Sequence, residues 1–357
     1  MIRTVGVEEE LLVVDHQSGR PLGVAGKVIA RGDHDLTTEF KRQQLETDSP
    51  PRSSLDVLAA DLRASRDVAI AAARAEGARV VASGTAPTET TSQVVPEDRY
   101  RAMVERYGIT ATEQLTCGCH VHVAVDSDDE GAVALNGIRI WLPVLLALSA
   151  NSPFWQGHDT RFASFRAQAM ARWPSSGPPD LFADGADYRA TVQRMVETGV
   201  LMDVAMVYFD ARLSARYPTI EIRVADVCPD VRDTVLLAAL CRALVDTVVA
   251  ERRPPPDIAT SWIRLATWQA SRHGLEGTLL DPHTLRPTPA HDVVQRLVDL
   301  VTPALAANGD LEFARDQVAR ILQDGNGASQ QRAVLARTNR LSEVVAQLAR
   351  VTAGHAD

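Results

Sequence analysis

The chain has 357 residues, of which 45% are hydrophobic and 23% charged, and this composition is typical of a globular protein with a full core. Its net charge of −9 and its pI near 5.5 argue against a nucleic-acid partner, because nucleic-acid-binding proteins usually carry a basic face. The first residues lack the basic and apolar regions of a secretory signal, and Arg139 and Pro143 interrupt the longest apolar stretch, so we expect a cytoplasmic protein with no membrane partner.

The cysteines predict neither a disulfide framework nor a zinc site. Four cysteines are few for a chain of this length, and Cys117-Gly-Cys119 is a CxC pattern without a second thiol pair. We therefore expect reduced thiols, with Cys117 and Cys119 as buried small residues rather than nucleophiles.

Strand and helix patterns alternate in the first two thirds of the chain. The patterns predict strands at residues 5–14, 79–83, 114–125, 204–210 and 219–226, the last two paired, and the polar segment 36–47 could be another strand. Helical spacing predicts helices at 53–76, 97–107, 133–150 and 188–198, the first with a capping box at Ser53 and Asp56 and a terminal Gly77. From residue 231 the pattern is helical, with breaks at 253–256, 274–289 and 325–327.

This order, strands with helices first and helices alone afterwards, predicts an α+β fold. We expect a mainly antiparallel sheet with helices covering one face and an open polar face that holds the site. The whole chain, 1–357, is predicted to be a single catalytic domain. Residues 1–252 would form the sheet and its covering helices, and residues 253–357 a helical region packed on them.

Three predicted strands carry polar side chains two residues apart within apolar runs. The pairs are Glu8 and Glu10, His120 and His122, and Glu221 and Arg223. Side chains two apart in a strand share a face, so in one sheet these pairs would form a face of carboxylates, imidazoles and a guanidinium. Such a face is typical of a site for metal ions and an anionic ligand, since carboxylates suit Mg²⁺ or Mn²⁺ and arginine binds phosphate.

Each pair also has an ordinary interpretation. A lone Glu-x-Glu is usually a solvated strand face, His-x-His also occurs in zinc hydrolases, and Glu221 and Arg223 could pair with neighbouring strands. Glu39 and Glu46 lie seven residues apart and cannot both face one way in a regular strand, so we expect only one ligand there and prefer Glu46.

The segment 151–179 has few periodic signals, but its aromatic residues argue for order. Its Asp159, Arg161 and Arg166 could clamp a substrate or form a structural ion-pair network. The sequence contains neither a Walker A nor a GxGxxG motif, so any nucleotide would be bound by another route.

Taken together, these segments resemble the glutamate–cysteine ligase type 2 family, also called the carboxylate–amine ligase family. The resembling segments follow the family's order from residue 6 to about 283: Gly6–Leu11, Ser83–Pro87, Cys119–Val123, Leu148–Pro153, Gln156–Ser164, Pro218–Asp226, Gly274–Gly277 and Asp281–His283. The Asp-Thr-Arg-Phe-Ala-Ser and His-Val-His-Val segments are specific in combination.

The resemblance implies a glutamine-synthetase-like antiparallel sheet of about six strands and ATP-dependent formation of an amide. It implies divalent cations at Glu8, Glu10, Glu46, His122 and Glu221, and ATP contacts from His120, His122 and Arg223. It also implies catalytic roles for Arg161, Arg166 and Arg223, which would neutralise an anionic substrate or phosphate.

We therefore expect a ligase that uses ATP and Mg²⁺, or Mn²⁺, to join the γ-carboxylate of glutamate to an amino acid amine through an acyl phosphate. Cysteine is the default acceptor, giving γ-glutamylcysteine. One alternative is a metal-dependent hydrolase that uses the His-x-His and carboxylate face, and another is an inactive scaffold that acts by binding. The expected partners are amino acid substrates, and a homo-oligomer, with a dimer favoured, is expected on base rates for soluble enzymes.

Overall fold

The described strands form one large antiparallel sheet and two small hairpins. The computed structural model describes residues 2–32, 36–251 and 255–355. Its strands are β1 Val5–Asp15, β2 Leu36–Thr38, β3 Gln44–Asp48, β4 Ala78–Val81, β5 Gly118–Ala124, β6 Phe154–Trp155, β7 His158–Asp159, β8 Ala211–Leu213, β9 Thr219–Asp226, β10 Thr278–Leu280 and β11 Pro287–Pro289.

The described helices run from the N-terminal region to the C-terminal region. They are α1 Ala25–Arg31, α2 Leu55–Ala75, α3 Asp98–Tyr107, α4 Ile109–Glu113, α5 Asp128–Ile138, α6 Leu142–Ser149, α7 Phe165–Met170, α8 Gly185–Glu197, α9 Val231–Glu251, α10 Thr260–His273, α11 Ala290–Asn308, α12 Leu311–Asp324, α13 Gly327–Thr338 and α14 Leu341–Thr352.

The main sheet places β1, β5 and β9 side by side at its centre. Its order is β2-β3-β1-β5-β9-β8, and β4 also pairs with β1, so the described sheet has seven strands rather than about six. All its pairings are antiparallel. The predicted α+β class with an antiparallel sheet is confirmed.

The two faces of the sheet differ because polar and apolar residues alternate along β1. Val5, Val7 and Leu11 are buried in apolar cores. Glu8 and Glu10 are half-buried on the opposite face, as period-two alternation requires. This alternation gives the sheet one polar face and one face that packs on helices.

The covered face has two layers of helices over it. Helices α2 and α9 pack on the sheet, and α11 and α12 pack on α9 from outside. Almost every residue of α9 from Val231 to Val245 is buried, because both of its sides are covered. Helices α11 and α12 thus complete the core on the face away from the polar site.

Several predicted elements are wrong in their details. Val204–Met206 is a 3₁₀ turn, and β9 pairs instead with the short strand β8 that follows it. The predicted helix 133–150 is two helices, α5 and α6, which meet at a 70° bend. The N-cap of α2 is Ser54 rather than Ser53, since Ser54 accepts from the Val57 amide.

The segment 36–47 is a hairpin rather than one strand. Strands β2 and β3 pair antiparallel with Thr37 opposite Glu46, and the chain reverses between them at Arg42 and Gln43. The predicted boundary at 252/253 lies outside the described residues, as does part of the predicted helix break at 253–256. The single catalytic domain stays a prediction.

No single helix in the described ranges is long and apolar enough to cross a membrane. Only the bent pair α5 and α6, taken together, meets that length and composition.

Candidate active site

Polar side chains from five neighbouring strands share the face away from the helix layers. Strand pairing sets Glu8 opposite His120, Glu10 opposite Glu46, and His122 opposite Glu221. Residues directly opposite in antiparallel strands point to the same face. The three predicted pairs therefore meet on one surface, as expected, and β3 and β8 extend that surface on either side with Asp48 and Arg212.

This face is the floor of a cavity of about 700 Å³. Helix α3 contributes Arg99 and Tyr100 to its wall, and α8 contributes Tyr188 and Arg189. The loop between β8 and β9 adds Tyr217, whose ring packs edge-on against His122 at 6.2 Å. The predicted open face is thus walled on several sides by residues of helices α3 and α8 and of the β8–β9 loop.

Glu8 is held between the two histidines of β5. Its Oε2 lies 3.1 Å from Nδ1 of His120, and its Oε1 lies 3.0 Å from Nε2 of His122. Burial raises the pKa of Glu8, but hydrogen bonds from His120 and His122 outweigh this and lower the pKa well below its usual range. Burial, together with the charge of Arg223, lowers the pKa of His120. Glu8 is therefore a fixed negative charge.

Glu221 is neutralised by two arginines. Arg212 binds both of its oxygens, at 2.7 and 3.1 Å, and Arg223 forms a third contact. Burial raises the pKa of Glu221, but the charges of Arg223 and Arg212 outweigh it and lower the pKa to about 2. Burial lowers the pKa of Arg223, but Glu221 and Glu10 more than compensate and raise it above its ordinary value. Both groups are charged at neutral pH.

Three carboxylates meet near the β3 end of the floor. Glu10, Glu39 and Glu46 each offer an oxygen, and these oxygens lie within 4.8 Å of one another. Burial raises the pKa of Glu46 to about 11, and the charge of Glu39 adds to the effect. Burial and Glu39 also raise the pKa of Glu10, although the Gly118 amide donates to it at 2.6 Å. The hairpin turn brings both Glu39 and Glu46 to the site, because the chain there is not the regular strand that the spacing argument assumes. The choice of Glu46 as the ligand stays a prediction.

A second group of possible ligands contains Glu8, His122 and Glu221, whose donor atoms also lie within 4.8 Å of one another. The two groups differ in charge balance. Glu8 and Glu221 already have cationic or imidazole partners, whereas Glu10, Glu39 and Glu46 repel one another. Mg²⁺ and Mn²⁺ favour oxygen ligands, so the three-carboxylate cluster fits a divalent cation best.

Arg166 forms part of the floor beside this cluster. It is 4% exposed, donates to the carbonyls of Val224 and Arg223 at 3.3 and 3.2 Å, and lies 4.0 Å from the Asp226 carboxylate. Asp226 in turn accepts hydrogen bonds from Ser152 and Ser164 at 2.6 and 2.8 Å. This buried network fixes the guanidinium near Glu10.

Two residues of the predicted substrate clamp lie elsewhere. Arg161 is exposed, is not among the residues that line the cavity, and its carbonyl accepts a hydrogen bond from Arg272. Asp159 is paired with Arg332 at 2.8 Å, the structural alternative that the sequence left open. The structure thus brings Arg166 and Arg223 to the site and leaves Arg161 outside it.

Sequence reasoning missed several cavity residues. Asp48 lies two residues after Glu46 in β3, so the spacing rule that selected Glu8 and Glu10 would have found it. Arg212 lies in a strand of three residues, too short to show alternation. Arg99, Tyr100 and Arg189 come from helices that reach the site only through tertiary packing, and no local signal marks them.

The cysteines take no part in this chemistry. Cys117 and Cys119 are buried and free, as predicted, and Cys228 and Cys241 are likewise buried and free. Burial raises the pKa of the Cys117 and Cys119 thiols well above the usual range, which removes their nucleophilic character.

Comparison with known proteins agrees with this geometry. The family model described as glutamate–cysteine ligase family 2 matches residues 4–350. The chain belongs to this family.

Relatives of similar length support the assignment. The chain is 47% identical to the Streptomyces coelicolor protein named "Putative glutamate--cysteine ligase 2", over 98% of this chain and 99% of that protein. It is also 47% identical to a Streptomyces avermitilis protein named "Putative glutamate--cysteine ligase 2-1", over 99% of this chain and all of that protein. The protein is therefore an enzyme of the glutamate–cysteine ligase type.

Solved structures share the fold of this family member at low sequence identity. The glutamate–cysteine ligase of Francisella tularensis in complex with AMP has a TM-score of 0.71 at 14% identity, covering 99% of this chain and 89% of that one. A bifunctional glutathione synthetase from Pasteurella multocida has a TM-score of 0.72 at 15% identity, covering 99% of this chain and 52% of that one.

Proposed function

We propose that the protein uses ATP and a divalent cation, Mg²⁺ or Mn²⁺, to join the γ-carboxylate of glutamate to an amino acid amine. The default acceptor is cysteine, which gives γ-glutamylcysteine. The observation that carries the proposal is the single cavity floor on which the clustered carboxyl groups of Glu10, Glu39 and Glu46 lie beside the buried Arg166 and the partly buried Arg223. Family membership and the AMP complex of the Francisella tularensis ligase support ATP as the nucleotide.

The chemistry requires neutralisation of two anions that must approach each other. A carboxylate is a poor electrophile, and transfer of the γ-phosphoryl group from ATP to it gives an acyl phosphate with a good leaving group. The amine then attacks the acyl carbon, the new C–N bond forms, and phosphate leaves. No covalent enzyme nucleophile is needed, which agrees with the buried, unreactive thiols.

The cation would be held by Glu10, Glu39 and Glu46, with Glu8, His122 and Glu221 as the second set of ligands. When bound, it would supply charge neutralisation for the phosphate oxygens.

The arginines of the floor act on the anionic substrates directly. Arg223 keeps its charge because Glu221 and Glu10 hold its proton, so it offers a permanent cation to a phosphate or carboxylate. Arg166 is fixed by backbone carbonyls and by the Asp226 network, which places a second guanidinium without loss of side-chain entropy on binding. His120 is neutral by its lowered pKa and orients Glu8.

The test is ADP release by the purified protein with ATP, Mg²⁺, glutamate and each of a panel of amino acid amines. We expect release that depends on both glutamate and at least one amine. Dependence on neither would overturn the proposal. Turnover of a candidate ester or amide substrate in the absence of ATP would favour the hydrolase alternative, so each reaction is repeated without ATP.

A further inference from the structure

A second cavity of about 440 Å³ adjoins the first and has its own set of charged groups. The two cavities share five lining residues, which are Arg166, Met170, Trp173, Tyr208 and Arg223. The second cavity extends from these shared residues to α10, where Arg264 and Trp268 are exposed at its edge. A ligand in the second cavity would therefore lie next to the proposed reaction site while part of it remained open to solvent.

Three buried polar atoms of this cavity have no hydrogen-bond partner among the residues that the structure describes. They are Oδ2 of Asp210, Oγ1 of Thr267 and Nε of Arg166. Buried polar atoms are normally paired, and leaving one unpaired costs free energy. Arg166 is 4% exposed, so bulk solvent does not satisfy it. The cavity thus presents two unpaired acceptor atoms, Oδ2 of Asp210 and Oγ1 of Thr267, and one unpaired donor, the Nε–H of Arg166.

The charged groups of this cavity suit a ligand that carries both a positive and a negative charge. The backbone of Asp210 is held in place because its amide donates to the Gly177 carbonyl and its carbonyl accepts from the backbone amide of Arg223, both at 2.8 Å. The guanidinium of Arg264 lies against Gly177, about 3.5 Å from where a Cβ would stand. In the described chain no ion pair joins Asp210 to Arg166 or Arg264, although both lower its pKa. Asp210, Arg166 and Arg264 therefore line one cavity, and both guanidinium groups act on the carboxylate through their charge without forming an ion pair with it.

We infer that this second cavity binds the head group of an α-amino acid, with Asp210 taking the ammonium group and Arg264 the carboxylate. The inference rests on the proposed function, in which both glutamate and the acceptor are amino acids. Burial raises the pKa of Asp210 to about 7, as expected for a carboxylate that lacks a cationic partner until a ligand supplies one. The position of Arg166 between the two cavities would orient the bound amino acid toward the floor.

The test measures binding to the full chain by quenching of tryptophan fluorescence, since Trp268 lines the second cavity but not the first, while Trp173 lines both. The Asp210 and Arg264 variants below assign the signal to the second cavity. Two sets of probes distinguish cysteine from glutamate as the amino acid that supplies the head group. One is L-cysteine with 3-mercaptopropionate, which lacks the amine, and cysteamine, which lacks the carboxylate. The other is L-glutamate with glutarate and 4-aminobutyrate. Titrations are run with and without Mg²⁺ and a non-hydrolysable ATP analogue.

We expect Asp210→Asn to weaken the amino acid and its amine-bearing analogue about 10- to 100-fold and to leave the analogue without an amine unaffected. Arg264→Gln should weaken binding of the amino acid and of the analogue without an amine, and leave the analogue without a carboxylate unaffected. The set of probes that shows this pattern identifies whether the bound amino acid is cysteine or glutamate. Asp316→Asn, an exposed site on α12, is the matched control and should bind all probes like the wild type.

Equal effects on all probes, no effect on any, or no binding of either amino acid would overturn the inference. Failure of the proposed function is recognised separately. Selective amino acid binding without any glutamate- and amine-dependent ADP release leaves the cavity assignment intact and removes the ligase reaction. ADP release with unchanged probe selectivity in Asp210→Asn removes the cavity assignment alone.

Discussion

Glu9 and Arg66 form a buried bidentate ion pair on the face of β1 opposite Glu8 and Glu10. The Arg66 Nε and Nη2 atoms lie 2.8 and 2.7 Å from the two Glu9 oxygens, and both side chains are at most 1% exposed. Thr234 of α9 donates to the same carboxylate at 2.7 Å. The residue between the two site glutamates therefore joins the sheet to helices α2 and α9.

Removal of one partner of this pair should destabilise the protein strongly. In Glu9→Gln the Arg66 guanidinium stays buried without a counter-charge, which typically costs about 3–5 kcal/mol. The measurement is the free energy of unfolding from denaturant titration. The double variant Glu9→Leu with Arg66→Met should recover much of the loss, and simple addition of the two single losses would contradict the ion-pair explanation.

Neutralisation of Glu46 should weaken cation binding with little effect on stability in the absence of metal. Because its pKa is raised to about 11, the carboxyl group is already protonated at neutral pH without a cation, and glutamine resembles that form. We expect Glu46→Gln to lower Mn²⁺ affinity at least about tenfold. The measurement is the shift of Tm on addition of Mn²⁺.

Glu8→Gln is the matched comparison on the same face. Glu8 is ionised, hydrogen-bonded to His120 and 3.0 Å from Nε2 of His122, so its neutralisation should lower Tm even without metal. Equal behaviour of the two variants without metal would argue against the charge assignment of the site.

The central strands could be read from the sequence because their signal is local. Alternation along each of β1, β5 and β9 predicts which of its side chains share a face, and strand pairing then brings Glu8, His122 and Glu221 to the same one. The same rule predicts only one ligand from Glu39 and Glu46, since it assumes a continuous strand, whereas the chain turns at Arg42 and Gln43. Local periodicity predicts which residues share a face and does not predict where the chain reverses.

No local sequence pattern marks the residues of the cavity walls or of the second cavity. Arg99 and Arg189 reach the site because α3 and α8 pack beside the sheet, a consequence of long-range contacts. Arg161 illustrates the opposite error, because a charged residue in an ordered segment resembled a substrate ligand and lies outside the cavity.

Lys41 should make the free energy of unfolding depend on pH above about pH 8. Its ammonium group is buried and donates to the carbonyls of Ala111 and Thr112 at 2.6 and 3.1 Å, and burial lowers its pKa from 10.5 to about 8. Between these two pH values the unfolded chain binds more protons than the folded chain, so this contribution to stability rises with pH. Below about pH 8 both states are protonated and the contribution is constant.

The measurement is the difference in unfolding free energy between wild type and Lys41→Met from pH 7 to 10.5. We expect the wild type to gain relative to the variant by at most about 1.4 kcal/mol per pH unit above pH 8. The exposed Lys27, the other lysine of the sequence, is the control, and Lys27→Met should show no such slope. A flat difference for Lys41→Met would contradict the lowered pKa.

Gly118→Ala should disable the site by displacing Arg166. A Cβ at Gly118 would lie 2.2 Å from Nη2 and 2.8 Å from Cζ of Arg166, so the guanidinium would have to move from its place beside Glu10. Buried carbonyls and Asp226 hold that guanidinium, which leaves it little room to adjust. We expect ADP release to fall by about 100-fold, as for other groups misplaced by roughly 1 Å.

Gly26→Ala in α1, where a Cβ meets nothing within 4 Å, should keep full activity and gain about 0.5–1 kcal/mol in stability. Wild-type ADP release by Gly118→Ala would show that the position of Arg166 does not limit the reaction.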